Sequence, residues 1–79
     1  MEKVYTLCDI EPGQTGRVKD VVSSGSIRRR LLDIGLVKDT LVECVGKSPA
    51  GDPKAYLIRG AVIAIRQEDG KNIIIRKGE

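Results

Sequence analysis

Apolar residues in this chain come in short bursts, and in most of them the apolar and polar positions alternate. Alternation at a period of two places one set of side chains on each face of a strand. The first burst, 6–10, is apolar-biased and runs into Glu11-Pro12-Gly13-Gln14, where Pro then Gly fit the central positions of a type II turn. Residues 16–22 (GRVKDVV) predict a strand that Ser23-Ser24-Gly25 ends. A second strand is expected over 40–45 (TLVECV), with Val42 and Cys44 on one face and Leu41, Glu43 and Val45 on the other. After a turn-rich stretch from Gly46 to Pro53, residues 55–59 (AYLIR) and 62–66 (VIAIR) flank Gly60-Ala61. Gly at the first central position of a two-residue loop predicts a type II′ hairpin. Residues 67–71 predict a tight turn or a single helical turn, and 72–76 (NIIIR) a last strand.

One stretch breaks this period. Ile27, Leu31 and Ile34 recur at i, i+4 and i+7, with Leu32 widening the stripe, which predicts a short amphipathic helix. Ser26 is the expected N-cap, and Gly35 sits where a left-handed residue would end the helix. About two turns are too few to be stable alone, so the stripe must dock on the sheet. Five short strands and one helix predict a mainly β fold, a small SH3-like β-barrel with a helical insertion, as a single domain over residues 1–79.

Composition narrows the function. The chain has no Trp and no Phe, only Tyr5 and Tyr56, which suits a core of branched aliphatics and not a platform for stacking bases. Net charge is +3 and is spread evenly: residues 1–40 hold seven Lys/Arg and six Asp/Glu, residues 41–79 seven and five. That balance counts against a nucleic-acid partner. Nothing resembles a membrane span or a signal peptide, so a cytoplasmic protein without membrane insertion is expected. Cys8 and Cys44, thirty-six positions apart, read as free thiols, Cys44 as a small core residue.

Histidine is absent, which removes the commonest general base and transition-metal ligand. No nucleotide loop is present, and two separated cysteines cannot make a structural zinc site. The neighbouring carboxylates Asp9/Glu11 and Glu68/Asp69 read as solvated turn charges. No catalytic residue, metal ligand or cofactor is expected.

In order along the chain stand Pro12-Gly13-x-x-Gly16, Arg28-Arg29-Arg30-Leu31-Leu32-Asp33-Ile34-Gly35-Leu36, Val42-Glu43, Gly51-Asp52-Pro53, and Gly60 before Ile63-Ala64-Ile65-Arg66. Together they resemble the FeoA family of small cytoplasmic proteins of bacterial ferrous-iron transport, from about Leu7 to Ile75. The resemblance implies an SH3-like barrel that is not an enzyme and that binds and modulates FeoB, the membrane ferrous-iron transporter with a cytoplasmic GTPase domain. It departs from the family pattern at Lys38-Asp39, where Pro-Gly is common, and at Glu68-Asp69, where Glu-Ala is common. Two other readings stand beside it: a nucleic-acid-binding small barrel, and a metal-sensing domain related to the SH3-like domain of iron-dependent repressors.

The expected partner-binding residues are Arg28, Arg29, Arg30, Leu36 and Asp52. On a helix, successive residues lie about 100° apart, so three arginines fan over roughly 200° and cannot all grip one ligand. Asp33 is at pairing distance in sequence from Arg29 and Arg30, but such an exposed pair stabilises by only about 0.3–0.5 kcal/mol. The arginines therefore divide between internal packing and ion pairs on one side and a partner surface on the other. Leu36 either folds back on the helix end or stands out as an apolar anchor. Asp52 is either a turn residue or a carboxylate offered to a partner. Exposed strand edges allow a weak homo-oligomer.

Overall fold

A computed structural model of the protein describes residues 3–77. In chain order they form β1 (Tyr5–Thr6), one 3-10 turn (Leu7–Asp9), β2 (Thr15–Val21), α1 (Gly25–Asp33), β3 (Leu41–Lys47), β4 (Lys54–Ile58), β5 (Ala61–Ile65), the one-turn helix α2 (Gln67–Gly70) and β6 (Ile73–Lys77). All six strands join one antiparallel sheet in the order β1-β6-β2-β3-β4-β5. This is the expected mainly β, SH3-like architecture with its helical insertion. The ladder stays open, with β1 and β5 as its edges.

Alternation places the side chains as the sequence pattern requires. Val42 and Cys44 of β3 are fully buried, whereas Leu41 and Val45 are exposed. Val18 and Val21 of β2, Tyr56 and Ile58 of β4, and Ile73 and Ile75 of β6 belong to the same core, so the sheet curls around it. Two irregularities assist the bend, at Lys19 between Val18 and Asp20 and at Val45 between Cys44 and Gly46. An extra residue on one strand sharpens the local twist.

Three local expectations are corrected. First, Ile58 pairs with Ala61, so the hairpin loop is Arg59-Gly60 and not Gly60-Ala61. Both loop residues have positive φ, 51° and 86°, which makes it type I′, the turn that matches strand twist. Arg59 accepts this strained conformation with its side chain lying over Gly35, where an added Cβ would come 2.7 Å from Arg59 Cδ. Second, Ser26 is not the N-cap: α1 starts at Gly25, and its cap Ser24 makes no side-chain hydrogen bond. Gly25 has φ 66°, so the backbone itself makes the entry turn. Third, Ile27 stays 44% exposed, because only the second half of α1 lies over the core; Leu31 is buried, and Leu32 and Ile34 are half-buried.

The helix end follows expectation. Gly35 has φ 106°, its N–H donates to the Leu32 carbonyl (3.0 Å), and the Leu36 N–H donates to the Leu31 carbonyl (3.2 Å). This is a Schellman closure, and the apolar residue after the glycine folds back. Leu36 is 0% exposed, so it plugs the core and is not an apolar anchor on the surface. At the Lys38-Asp39 departure, Asp39 adopts φ 70°, the conformation a glycine would take there, and the Thr40 N–H closes the turn on the Val37 carbonyl (3.1 Å). Aspartate tolerates the left-handed region better than most residues. Here it is also held by its N–H to Val18 O (2.7 Å) and by Arg17 Nη1 on its carbonyl (3.0 Å). Truncating Leu36 to Ala should cost about 2–5 kcal/mol, the range for emptying a buried leucine site. Chemical denaturation checks this, and a loss below about 1 kcal/mol would show that the plug is dispensable.

Candidate functional site

Three consecutive arginines on α1 end up with three different environments. Arg28 reaches back, its Nη1 donating to the carbonyl of Val21 at the end of β2. Arg30 reaches forward, with Nη2 3.4 Å from Asp69 Oδ2 on α2. Arg29 has no hydrogen bond or ion pair among the described residues. The pairing offered by Asp33 does not form with either arginine; Asp69 takes Arg30 instead. The charge that departs from the family pattern at Asp69 is thereby matched by an arginine, and its side chain is 21% exposed. Gly25, Arg28, Arg29, Leu32 and Asp33 line a shallow open depression of about 270 Å³ along α1. The exposed Ile27 lies on the same helix and the exposed Val22 just precedes it. Ile27 stands about 200° round the helix from Arg29, so the apolar member of the depression is Leu32.

Asp52 is not part of it. The Asp52 carboxylate accepts the Gln67 N–H at 2.8 Å, satisfying a free donor at the start of α2. It lines a separate cleft of about 130 Å³ with Cys8, Gly51, Lys54, Tyr56, Ile65 and Gln67. The one-turn α2 thus receives Arg30 from α1 and Asp52 from the β3–β4 turn, and its Gln67 carbonyl accepts the Cys8 thiol at 3.4 Å. Burial raises the Cys8 thiol above its ordinary range, which keeps it protonated. Both cysteines are free thiols, Cys44 fully buried.

Sequence reasoning missed the groups that hold this end together, Lys54 and Tyr56. They alternate on β4 and both point at the 3-10 turn. Tyr56 Oη donates to the Leu7 carbonyl (3.0 Å), and burial pushes its phenol well above the ordinary value of 10. Lys54 Nζ donates to the carbonyls of Cys8 (2.9 Å) and Ile10 (3.0 Å) and to Glu11 Oε2 (2.8 Å). An ammonium has three protons, and all three are used. Glu11 also takes Lys47 at 2.9 Å. The only trace in the sequence is the i, i+2 spacing of Lys54 and Tyr56, which puts a lysine on the inward face of a strand. Among the described residues no group of three or more His, Cys, Asp or Glu could hold a metal ion, and no helix is long and apolar enough to cross a membrane.

The hydrogen bond from Lys54, and then that from Lys47, hold the Glu11 carboxyl at about 2 against an ordinary 4.5. A carboxylate with a lowered folded pKa contributes stability above its unfolded pKa and loses it as pH falls through the folded one. Stability should therefore drop between about pH 4.5 and 2, and Glu11→Gln should lower stability at neutral pH while making that drop shallower. Thermal unfolding of both proteins across this window checks it; parallel profiles would remove Glu11 from the clamp.

The sequence model of the FeoA domain family matches residues 5–77. Sequence comparison with curated proteins returned no match. Among solved structures, the FeoA-like protein of Clostridium acetobutylicum is 31% identical with a TM-score of 0.86, over 98% of this chain and 90% of that one. Iron(II) transport protein A of Clostridium thermocellum is 27% identical with a TM-score of 0.88, over 92% of this chain. This chain spans 45% of that protein's length. FeoA of Stenotrophomonas maltophilia, solved with zinc and described as a prokaryotic SH3 domain protein and a candidate activating factor of ferrous iron transport, is 27% identical with a TM-score of 0.79, over 90% of this chain and 88% of that one. With the family match covering almost every described residue and the same fold in these relatives, this chain belongs to the FeoA domain family.

Proposed function

We propose that this protein is a non-catalytic cytoplasmic accessory factor of ferrous-iron transport that docks on the cytoplasmic part of the FeoB transporter and biases its conformation or nucleotide cycle. The observation that carries this reading is the division of labour on α1. Arg28 and Arg30 are engaged by the protein's own scaffold, while Arg29, without a hydrogen bond or ion pair among the described residues, lines an open depression with Leu32. A guanidinium without an internal partner is suited to a carboxylate or a carbonyl on another protein. Leu36 is buried and leaves the proposed surface, and Asp52 lies away from it, in the separate cleft beside α2.

Arg29→Glu should weaken capture of the transporter's GTPase domain, or of the full transporter in detergent, by about tenfold or more, as expected for reversing a contact charge. The melting temperature should stay where it is, since Arg29 makes no hydrogen bond or ion pair among the described residues. Arg30→Glu, by contrast, should destabilise the fold through repulsion of Asp69. Equal capture by wild type and Arg29→Glu, with and without nucleotide, would exclude this face.

A further inference from the structure

A second surface, sharing no residue with the α1 depression, lies across β1, β6 and β2. An open groove of about 430 Å³ runs there between Lys3, Val4, Tyr5, Lys19, Ile74, Ile75, Arg76 and Lys77. Four of these eight residues are cationic, and none is acidic. Arg76 is paired with Asp39 at 3.4 Å; among the described residues Lys3, Lys19 and Lys77 have no ion pair. The nearest aspartate in sequence, Asp20, turns its carboxylate to the N–H of Val21.

Two of the lysines converge on one ring: Lys3 Nζ and Lys77 Nζ lie 5.4 and 5.3 Å from the Tyr5 centroid. A tyrosine face attracts each cation, but two like charges gathered on one ring repel each other. An anion between them removes that repulsion. Beside this charge sits Val4, which is 64% exposed.

We propose that this groove binds an acidic, extended segment of a partner protein, laid across β1, β6 and β2 with its carboxylates among Lys3, Lys19 and Lys77. The three lysines supply the attraction, and the exposed Val4 beside them an apolar contact. The concave shape favours a chain over the flat surface of a bilayer. A nucleic acid would want an aromatic face free for stacking, and the Tyr5 ring is engaged by lysines. The inference stands whether or not α1 is the transporter-docking face.

The test is a titration of the full chain with a capped hexaglutamate peptide, followed by amide chemical shifts. Shifts should centre on Val4, Tyr5 and residues 74–77 and weaken as salt rises. Lys19→Glu/Lys77→Glu should lose affinity by about tenfold, in line with two reversed rim charges. Arg66→Glu/Lys71→Glu, with the same charge change outside the groove, should keep it. The proposal is overturned if both double variants lose affinity equally, if the shifts scatter over all the lysines, or if no binding occurs at low salt. It is also overturned if oligothymidine or phosphatidylglycerol vesicles occupy the groove more tightly than the peptide.

Discussion

The fold rests on one cation. Lys54 reaches from β4 to the carbonyls of Cys8 and Ile10 and to the carboxylate of Glu11, and so holds the turn that follows β1 against the sheet. Backbone carbonyls shut away from water must find donors, and within this short 3-10 turn the Ile10 N–H reaches only the Leu7 carbonyl, at 3.3 Å. Tyr56, two residues along the same strand, serves the Leu7 carbonyl in the same way. With these carbonyls matched, Leu7 and Ile10 can be completely buried. A sheet that does not close on itself needs such a cover, since its core would otherwise open to solvent between β1 and β5.

The other end of the molecule is closed by helices in place of carbonyl clamps. Leu31 and Leu36 descend from α1 and its C-terminal turn into the core, and Gly35 permits the backbone reversal between them. Glycine is required there twice over: its φ is left-handed, and Arg59 packs where a side chain would stand. The short α2 ties the two closures together, taking Arg30 from one and Asp52 with Cys8 from the other. Exposed ion pairs of this kind contribute little stability each. Their effect is to fix where α1 lies, and hence which of its side chains face outward.

That placement turns a run of three arginines into a surface. A helix distributes consecutive residues around its axis, so identical side chains meet unlike surroundings. Arg28 and Arg30 find acceptors on flanking elements, and Arg29 between them finds none among the described residues. The groove at β1 is likewise a product of assembly, since Lys3, Lys19 and Lys77 come from three separate segments. A chain with evenly scattered charge can therefore carry local surfaces of one sign.

Patterns of period two and 3.6 settle locally, and the sequence by itself determined five of the six strands, the helix, its glycine stop and the inward residues of β3, while the two-residue β1 exists only through its pairing with β6. Ordered motifs from Pro12 to Arg66 also made the family legible without coordinates. Contacts between distant segments carry no such periodic signal, and these the tertiary structure alone decided. Loop choice at Arg59-Gly60 depended on how Arg59 could lie over Gly35, twenty-four positions earlier. Leu36 was open to two readings because burial depends on what stands above the helix end. Arg30 had a neighbour at Asp33 but paired with Asp69, since the one-turn α2 lies beside α1 only after the sheet has formed. Lys54 stood just outside the strand expected over 55–59, and its role shows only once the turn that it holds is folded against it.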